Sequence, residues 1–271
     1  MQDEKTDISL KNNVVRILWT GGWDSTYRIV ELSRQLCTVQ PIYVYGDGRH
    51  SEQFEIKAMR KILLELSRRK ETRATILPIE FIDKKSIPSN QEVTKAFEQI
   101  ANTTRLGTQH EWLARLALLN PGLELGTESA PLEVSNILTA INKYGKLKKD
   151  ENGDGFILDS SRSNKEVMLV LGNFKFPIIN KAGHDMKSNI QKWGYEDIMK
   201  NVWVCHAPIF GKPCGFCHPC ELKIETGMDF LLTKSALKRY ARRNKKIFIL
   251  NKIERRISKA AEKVIPNSRN I

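Results

Sequence analysis

The run Val14-Val15-Arg16-Ile17-Leu18-Trp19 breaks directly into Thr20-Gly21-Gly22, and a helical spacing of apolar residues follows from Ser25 to Leu36. A β-rich run that stops at two glycines and restarts with helical spacing predicts a buried strand, a tight turn and a helix. The alternation then repeats. Pro41-Ile42-Tyr43-Val44-Tyr45 reads as a strand closed by Gly46-Asp47-Gly48. Residues 52–70 read as an amphipathic helix, with Phe54, Ile56, Met59, Leu63 and Leu66 on its apolar side. A strand over 74–81, helices over about 91–101 and 110–119, a short strand over 123–126 and a helix over 132–144 follow. Strands alternating with helices imply right-handed crossovers and a parallel sheet covered on both faces. In such a sheet ligands sit at the carboxyl ends of the strands, near the point where strand order reverses. The turn at 20–25 is therefore the first place to look for chemistry.

Beyond this pattern the signals weaken. Residues 145–165 read as a surface loop, 168–179 as partly strand and 183–193 as partly helix. Residues 233–264 read as a helix or helix pair, with Leu250, Ile253, Ile257, Ala260 and Val264 recurring among Lys and Arg. The expected organisation is an α/β domain over 1–200, a cysteine knot over 201–230 and a basic helical extension over 231–271.

With 271 residues, 41% of them hydrophobic, the chain can bury a sizeable core. No run approaches the roughly 18 apolar residues of a membrane span. Residues 1–12 are polar and lack an apolar stretch behind a basic start, so a cytoplasmic location is expected and no membrane partner. Charge is placed unevenly. Residues 231–271 hold thirteen Lys and Arg against two acids, which is +11 of the chain's +13. Such a segment suits nucleic acid, an acidic protein or a homodimer contact in which its apolar stripe packs.

Two clusters carry chemistry. In Thr20-Gly21-Gly22-Trp23-Asp24-Ser25-Thr26 the glycines let backbone N–H groups approach a phosphate, and the helix that follows adds the positive end of its dipole. Thr20 and Ser25 can donate hydroxyl hydrogen bonds. Asp24 can cap the helix or help hold a metal. A plain strand–turn–helix with a capping acid would show the same pair of glycines. The second cluster is Cys205-x8-Cys214-x2-Cys217-x2-Cys220, four of the five cysteines within sixteen residues. Four thiolates so close in sequence suit a closed tetrahedral zinc site. An iron–sulfur cluster or free cysteines are the competing readings.

The string T-G-G-W-D-S resembles the S-G-G-x-D-S motif of pyrophosphate-loop ATPases, with Thr20 keeping the hydroxyl of the first Ser. That resemblance implies an α/β/α sandwich of the adenine nucleotide alpha-hydrolase type. Thr20, Gly21, Gly22, Asp24, Ser25 and Thr26 would hold ATP with Mg²⁺. Adding the four-cysteine motif, the region 13–230 resembles the 7-cyano-7-deazaguanine synthase (QueC) family. Pro177 to Ala182 resembles the family segment that carries a lysine, which assigns Lys181 to the phosphates, and Val202-Trp203-Val204-Cys205 resembles T-W-S-C. Asp24, Ser25 and Lys181 then form the implied catalytic group. Cys205, Cys214, Cys217 and Cys220 form the implied Zn²⁺ site.

The resemblance implies adenylation of a deazaguanine carboxylate and its transfer to an amine. The chain departs from the family at Gly107-Thr108-Gln109, where G-R-N is usual, and after Gly126-Thr127-Glu128-Ser129, where G-Y-P-D is missing. Glu128 is the candidate base contact there. These departures fit a relative with a different acceptor, such as a ligase that joins the deazaguanine to a protein amine in antiphage defence. A tRNA-modifying adenylase is the third class. Asp150-x-Asn152-x-Asp154-Gly155 imitates the start of a calcium loop, but Ser161 stands where a bidentate Glu is needed, and a polar turn is expected.

Overall fold

The computed structural model describes residues 14–130, 132, 135–151 and 153–245. The chain divides into two compact units, 1–204 and 205–271. The first is an α/β unit built on a parallel sheet. β1 (Val14–Leu18) is central. α1 (Trp23–Ser33) follows it and leads to β2 (Thr38–Tyr45), which pairs parallel to β1 in the register Val14↔Thr38 to Leu18↔Ile42.

α2 (Glu52–Ser67) then leads to two short strands, β3 (Thr75–Ile76) and β4 (Glu80–Asp83), both parallel to β2. The continuous strand expected over 74–81 is thus broken. Pro78 has no N–H for the ladder. The Gln40 side chain fills the gap, donating to the Pro78 carbonyl at 2.9 Å.

α3 (Gln91–Thr104) and α4 (Gln109–Leu119) come next, then β5 (Leu123–Glu124) on the opposite side of β1, with Ile17 facing Glu124. α5 (Asn136–Tyr144) leads into an antiparallel hairpin, β6 (Leu147–Lys149) and β7 (Phe156–Leu158). The loop expected over 145–165 is therefore partly sheet. Phe156 and Phe176 exchange backbone hydrogen bonds of 3.2 and 2.8 Å, which docks the hairpin on the chain leaving the main sheet.

α6 (Lys165–Leu171) occupies the start of the run expected to be strand, and β8 (Phe174–Lys175) follows, parallel to β5. Asn164 is the missed signal: its side chain accepts from the Val167 amide at 2.9 Å and starts a helix. α7 (Gly183–Trp193) and α8 (Glu196–Met199) complete the unit.

The sheet order is β3-β2-β1-β5-β8, with β4 also beside β2. Strand order reverses between β1 and β5. Alternation along the strands splits the core. Leu18, Ile42, Val44, Leu123 and Phe174 pack with α3, α4 and α6 through Val93, Phe97, Leu113 and Val170. Ile17, Trp19 and Tyr43 point to the other face and are fully buried. There α1 packs against α7 and α8, and α2 packs against α8.

In the second unit the described elements are α9 (His218–Glu225), a 3₁₀ turn (Asp229–Leu231) and α10, over 234–245. The apolar stripe from Leu250 to Val264 lies outside the described residues. Among the described residues no helix is long and apolar enough to cross a membrane.

Candidate functional site

The loop between β1 and α1 lies at the carboxyl end of the central strand, where strand order reverses. Gly21 has φ +68°, and a Cβ there would stand 3.1 Å from both the Glu55 carbonyl oxygen and Met59 Cγ. Only glycine accepts both the conformation and the contact. Gly22 is the N-cap of α1 and brings no side chain to cap it. The first helical bond runs from the Thr26 amide to the Gly22 carbonyl, 3.1 Å. The amides of the first turn thus begin on bare backbone, the arrangement that favours an anion.

The neighbours hold this loop on two further sides. The Trp203 amide donates to the Gly21 carbonyl at 2.8 Å, and the Trp203 ring stacks on Phe54 at 4.7 Å. Past β5, Gly126 comes so close to α1 that a Cβ would lie 3.0 Å from Ser25 Cα. Thr20 is exposed, Asp24 half-buried and Ser25 nearly buried. Glu128 lies half-buried in the segment after Gly126, and the amide of the next residue, Ser129, donates to the Lys181 carbonyl at 2.8 Å. The structure therefore brings together the loop, Ser25, the 126–129 segment and the backbone of Lys181.

Two of the expected residues do not face the loop. Thr26 belongs to the core: it is fully buried, and its hydroxyl accepts from Trp19 Nε1 at 2.9 Å. The Lys181 ammonium is ion-paired with Glu31 and lies 5.4 Å from the centroid of the Tyr27 ring. Glu31 is six residues beyond Ser25 on α1, about 9 Å along the helix axis. The Lys181 backbone borders the site, and its charge is spent on α1. His184, which follows closely, is exposed and sits beside Asp185, whose side chain accepts from the Ala182 amide and starts α7.

Sequence reasoning missed the charges beneath the loop. Arg28 and Glu124 are 3% and 2% exposed. Arg28 Nε and Nη2 donate to the two Glu124 carboxylate oxygens at 2.9 and 2.8 Å, and Nη1 donates to Glu31 at 2.7 Å. Burial alone would disfavour the Arg28 charge. The hydrogen bonds and charge of Glu124 outweigh it and hold the guanidinium above its ordinary pKa. A Glu inside a two-residue strand at the sheet centre was the available signal. On the other flank Glu55 is buried and accepts from Ser51 Oγ at 2.6 Å and from the Tyr43 hydroxyl at 2.8 Å. Burial, then the Glu55 charge, raise the Tyr43 pKa and keep it protonated.

The cysteine cluster is the second candidate centre. The four sulfurs of Cys205, Cys214, Cys217 and Cys220 all lie within 4.8 Å of one another. Cys214 Sγ to Cys220 Sγ is 4.0 Å, and Cys217 Sγ to Cys205 Sγ is 3.9 Å. A tetrahedron with Zn–S bonds of about 2.3 Å has edges of about 3.8 Å. The residues therefore fit a metal such as zinc. Backbone amides already point at the sulfurs: Cys214 N to Cys205 Sγ is 3.2 Å and Cys217 N to Cys214 Sγ is 3.2 Å. Hydrogen bonds from Cys205 and Cys220 pull the Cys217 thiol far below its usual pKa, while the interaction with Cys217 pushes Cys205 up to about 12. Four thiolates this close repel, so all can ionise together only around a cation. Gly215, at φ +85°, makes the turn, and a Cβ there would lie 2.2 Å from the Ala236 carbonyl oxygen.

In the hairpin, Asp150 pairs with Lys175, and Asp154 lies 4.0 Å from Arg28. These two acids of the calcium-like string face cations, as a polar turn would. Asn152 lies outside the described residues.

Comparison with known proteins finds no matching family model and no match among curated proteins.

Proposed function

We propose that the first unit binds ATP at the Gly21-Gly22 loop and uses it to activate a carboxylate, in the manner of the QueC-like pyrophosphate-loop enzymes that the sequence resembles. One observation carries this reading. The glycine turn occupies the carboxyl end of the central strand where strand order reverses, and it leads directly into α1.

In this reading the loop amides and the Thr20 and Ser25 hydroxyls hold the triphosphate. Asp24 would help bind the accompanying Mg²⁺. A carboxylate is a poor electrophile. Transfer to the α-phosphorus of ATP makes it an acyl-adenylate and releases pyrophosphate, and an amine then displaces AMP. The α-phosphate gains charge along the way, and fixed amide donors at the start of a helix suit that change. The 126–129 segment, with Glu128, borders Ser25 and is the candidate wall for the carboxylate substrate. The metal at the four cysteines would be closed to substrate and would act by holding the second unit together.

The test is product analysis by mass spectrometry. Purified protein is incubated with ATP, Mg²⁺, 7-carboxy-7-deazaguanine and ammonia. The expected result is AMP together with the amide or nitrile, abolished by Asp24→Asn. AMP without a small-molecule product would direct the search to a protein amine as acceptor. Absence of AMP with this acid would overturn the deazaguanine assignment. Absence of ATP binding would overturn the nucleotide loop itself.

A further inference from the structure

α10 has two unlike faces. It reads Lys-Ser-Ala-Leu-Lys-Arg-Tyr-Ala-Arg-Arg-Asn-Lys over 234–245, six cations with no acid. One face is committed to the cysteine knuckle. Ala236 is fully buried, with its carbonyl against Gly215. Arg239 donates to the carbonyls of Cys214 and Pro213 at 2.8 and 2.6 Å. Arg243 donates to the Phe216 carbonyl at 3.0 Å and pairs with Glu221.

The other face is not committed. Lys234, Lys238, Arg242 and Lys245 recur at intervals of four, four and three residues, which places them on one side of the helix. All four are exposed. Among the described residues none of them has an ion-pair partner. Neighbouring charges in this row stand about 6 Å apart, inside the roughly 8 Å screening length of physiological salt. Their mutual repulsion is therefore not relieved within the described fold, and a polyanion would relieve it.

Aromatic side chains stand in the same unit. Phe216, whose carbonyl Arg243 holds, is 38% exposed, and Phe210 is fully exposed in the turn between Ile209 and Lys212. Phe210 also has φ +48°, a strained conformation for a bulky residue. Cations and open aromatic rings within one unit suit phosphates and stacked bases. A membrane surface fits less well. An interfacial helix inserts an apolar face, and the inner face of α10 is already taken by the knuckle. An acidic protein would answer the charges but not the aromatic faces.

We infer that the exposed row Lys234, Lys238, Arg242 and Lys245 is a docking surface for single-stranded nucleic acid, with the exposed Phe216 of the same unit as a stacking ring. The row grips phosphates and the ring stacks a base. This inference is independent of the nucleotide-loop reading.

The experiment is fluorescence anisotropy with the full-length, zinc-loaded protein and a labelled single-stranded uridine oligonucleotide, repeated over a salt series. Each neutralised phosphate contributes about −0.7 to the log–log slope for a single strand. Lys238→Gln with Arg242→Gln should make the slope shallower by about 1.4 and weaken binding about tenfold at low salt. Phe216→Ala should weaken binding and leave the slope unchanged. Lys234→Gln with Lys245→Gln provides the same slope test if the first pair misfolds. An unchanged slope in both double variants overturns the inference. So does binding of polyglutamate or phosphatidylserine vesicles that depends on Lys238 and Arg242 while the oligonucleotide is not bound.

Discussion

At the loop after β1, Gly21 turns to φ +68° because Glu55 and Met59 of α2 leave no room for a Cβ. Trp203 holds its carbonyl from a point far along the chain. At the knuckle, Gly215 turns to φ +85° within a segment that supplies three of its own sulfurs. The loop is thus a product of the sheet and helices packed around it. The knuckle is held by local amides, its four sulfurs and the contacts of α10 with Gly215 and Cys214. A loop shaped by its surroundings should tolerate loss of a metal and fail when the packing is disturbed. A knuckle should behave in the opposite way.

Metal removal tests that contrast most strongly. Structural zinc in small domains contributes on the order of 10 kcal/mol to folding. Chelation, or Cys217→Ser, should abolish protection of 205–245 in hydrogen exchange while β1, β2 and β5 keep theirs. Metal analysis should find one ion per chain before chelation. Equal loss of protection in both units would break the comparison.

The next largest effect is expected under the loop. Glu124→Ala leaves the Arg28 guanidinium buried without its bidentate partner, which costs about 3–5 kcal/mol. Replacing both residues with apolar ones, Arg28→Met and Glu124→Leu, should recover most of that loss. Chemical denaturation of the two variants measures it. The metal content should stay unchanged, because the knuckle does not share these contacts.

Gly21→Ala should cost about 1–3 kcal/mol through left-handed strain and the contact with Glu55. If the loop holds ATP, nucleotide affinity should fall as well. Asp24→Asn sharpens the same point, since it should abolish AMP formation and leave the melting temperature within a few degrees.

The smallest effect concerns His110, which is 5% exposed and whose Nδ1 lies 3.0 Å from the Gly107 carbonyl. Burial lowers its pKa below the ordinary 6.5. The unfolded chain therefore binds a proton that the folded ring refuses. Stability should decline as pH falls below about 6.5, until the folded ring itself protonates. His110→Gln should flatten that decline in thermal melts taken between neutral and mildly acidic pH.

Legibility in the sequence followed the locality of the cause. The strand–glycine–helix unit at 14–33 could be read because period, turn residues and helix start are neighbours in the chain. The run 183–193, expected to be partly helix, is helical throughout, because its start and spacing are also local. The hairpin at 147–158 could not be read, because its partner is Phe176 and its charges hide the short apolar run. Arg28 carries no local signal of burial; β5, almost a hundred residues away, brings Glu124 beside it.

The sequence by itself determined the alternating α/β order, the position of the glycine turn and the four sulfurs of the knuckle. Each depends on residues only a few positions apart, so local sterics and ligand chemistry suffice. The tertiary structure alone decided that Thr26 turns into the core, that Lys181 pairs with Glu31, and that one cationic face of α10 has no ion-pair partner among the described residues. Those outcomes depend on which distant element arrives to satisfy a buried hydroxyl or charge, and chain periodicity carries no record of that choice.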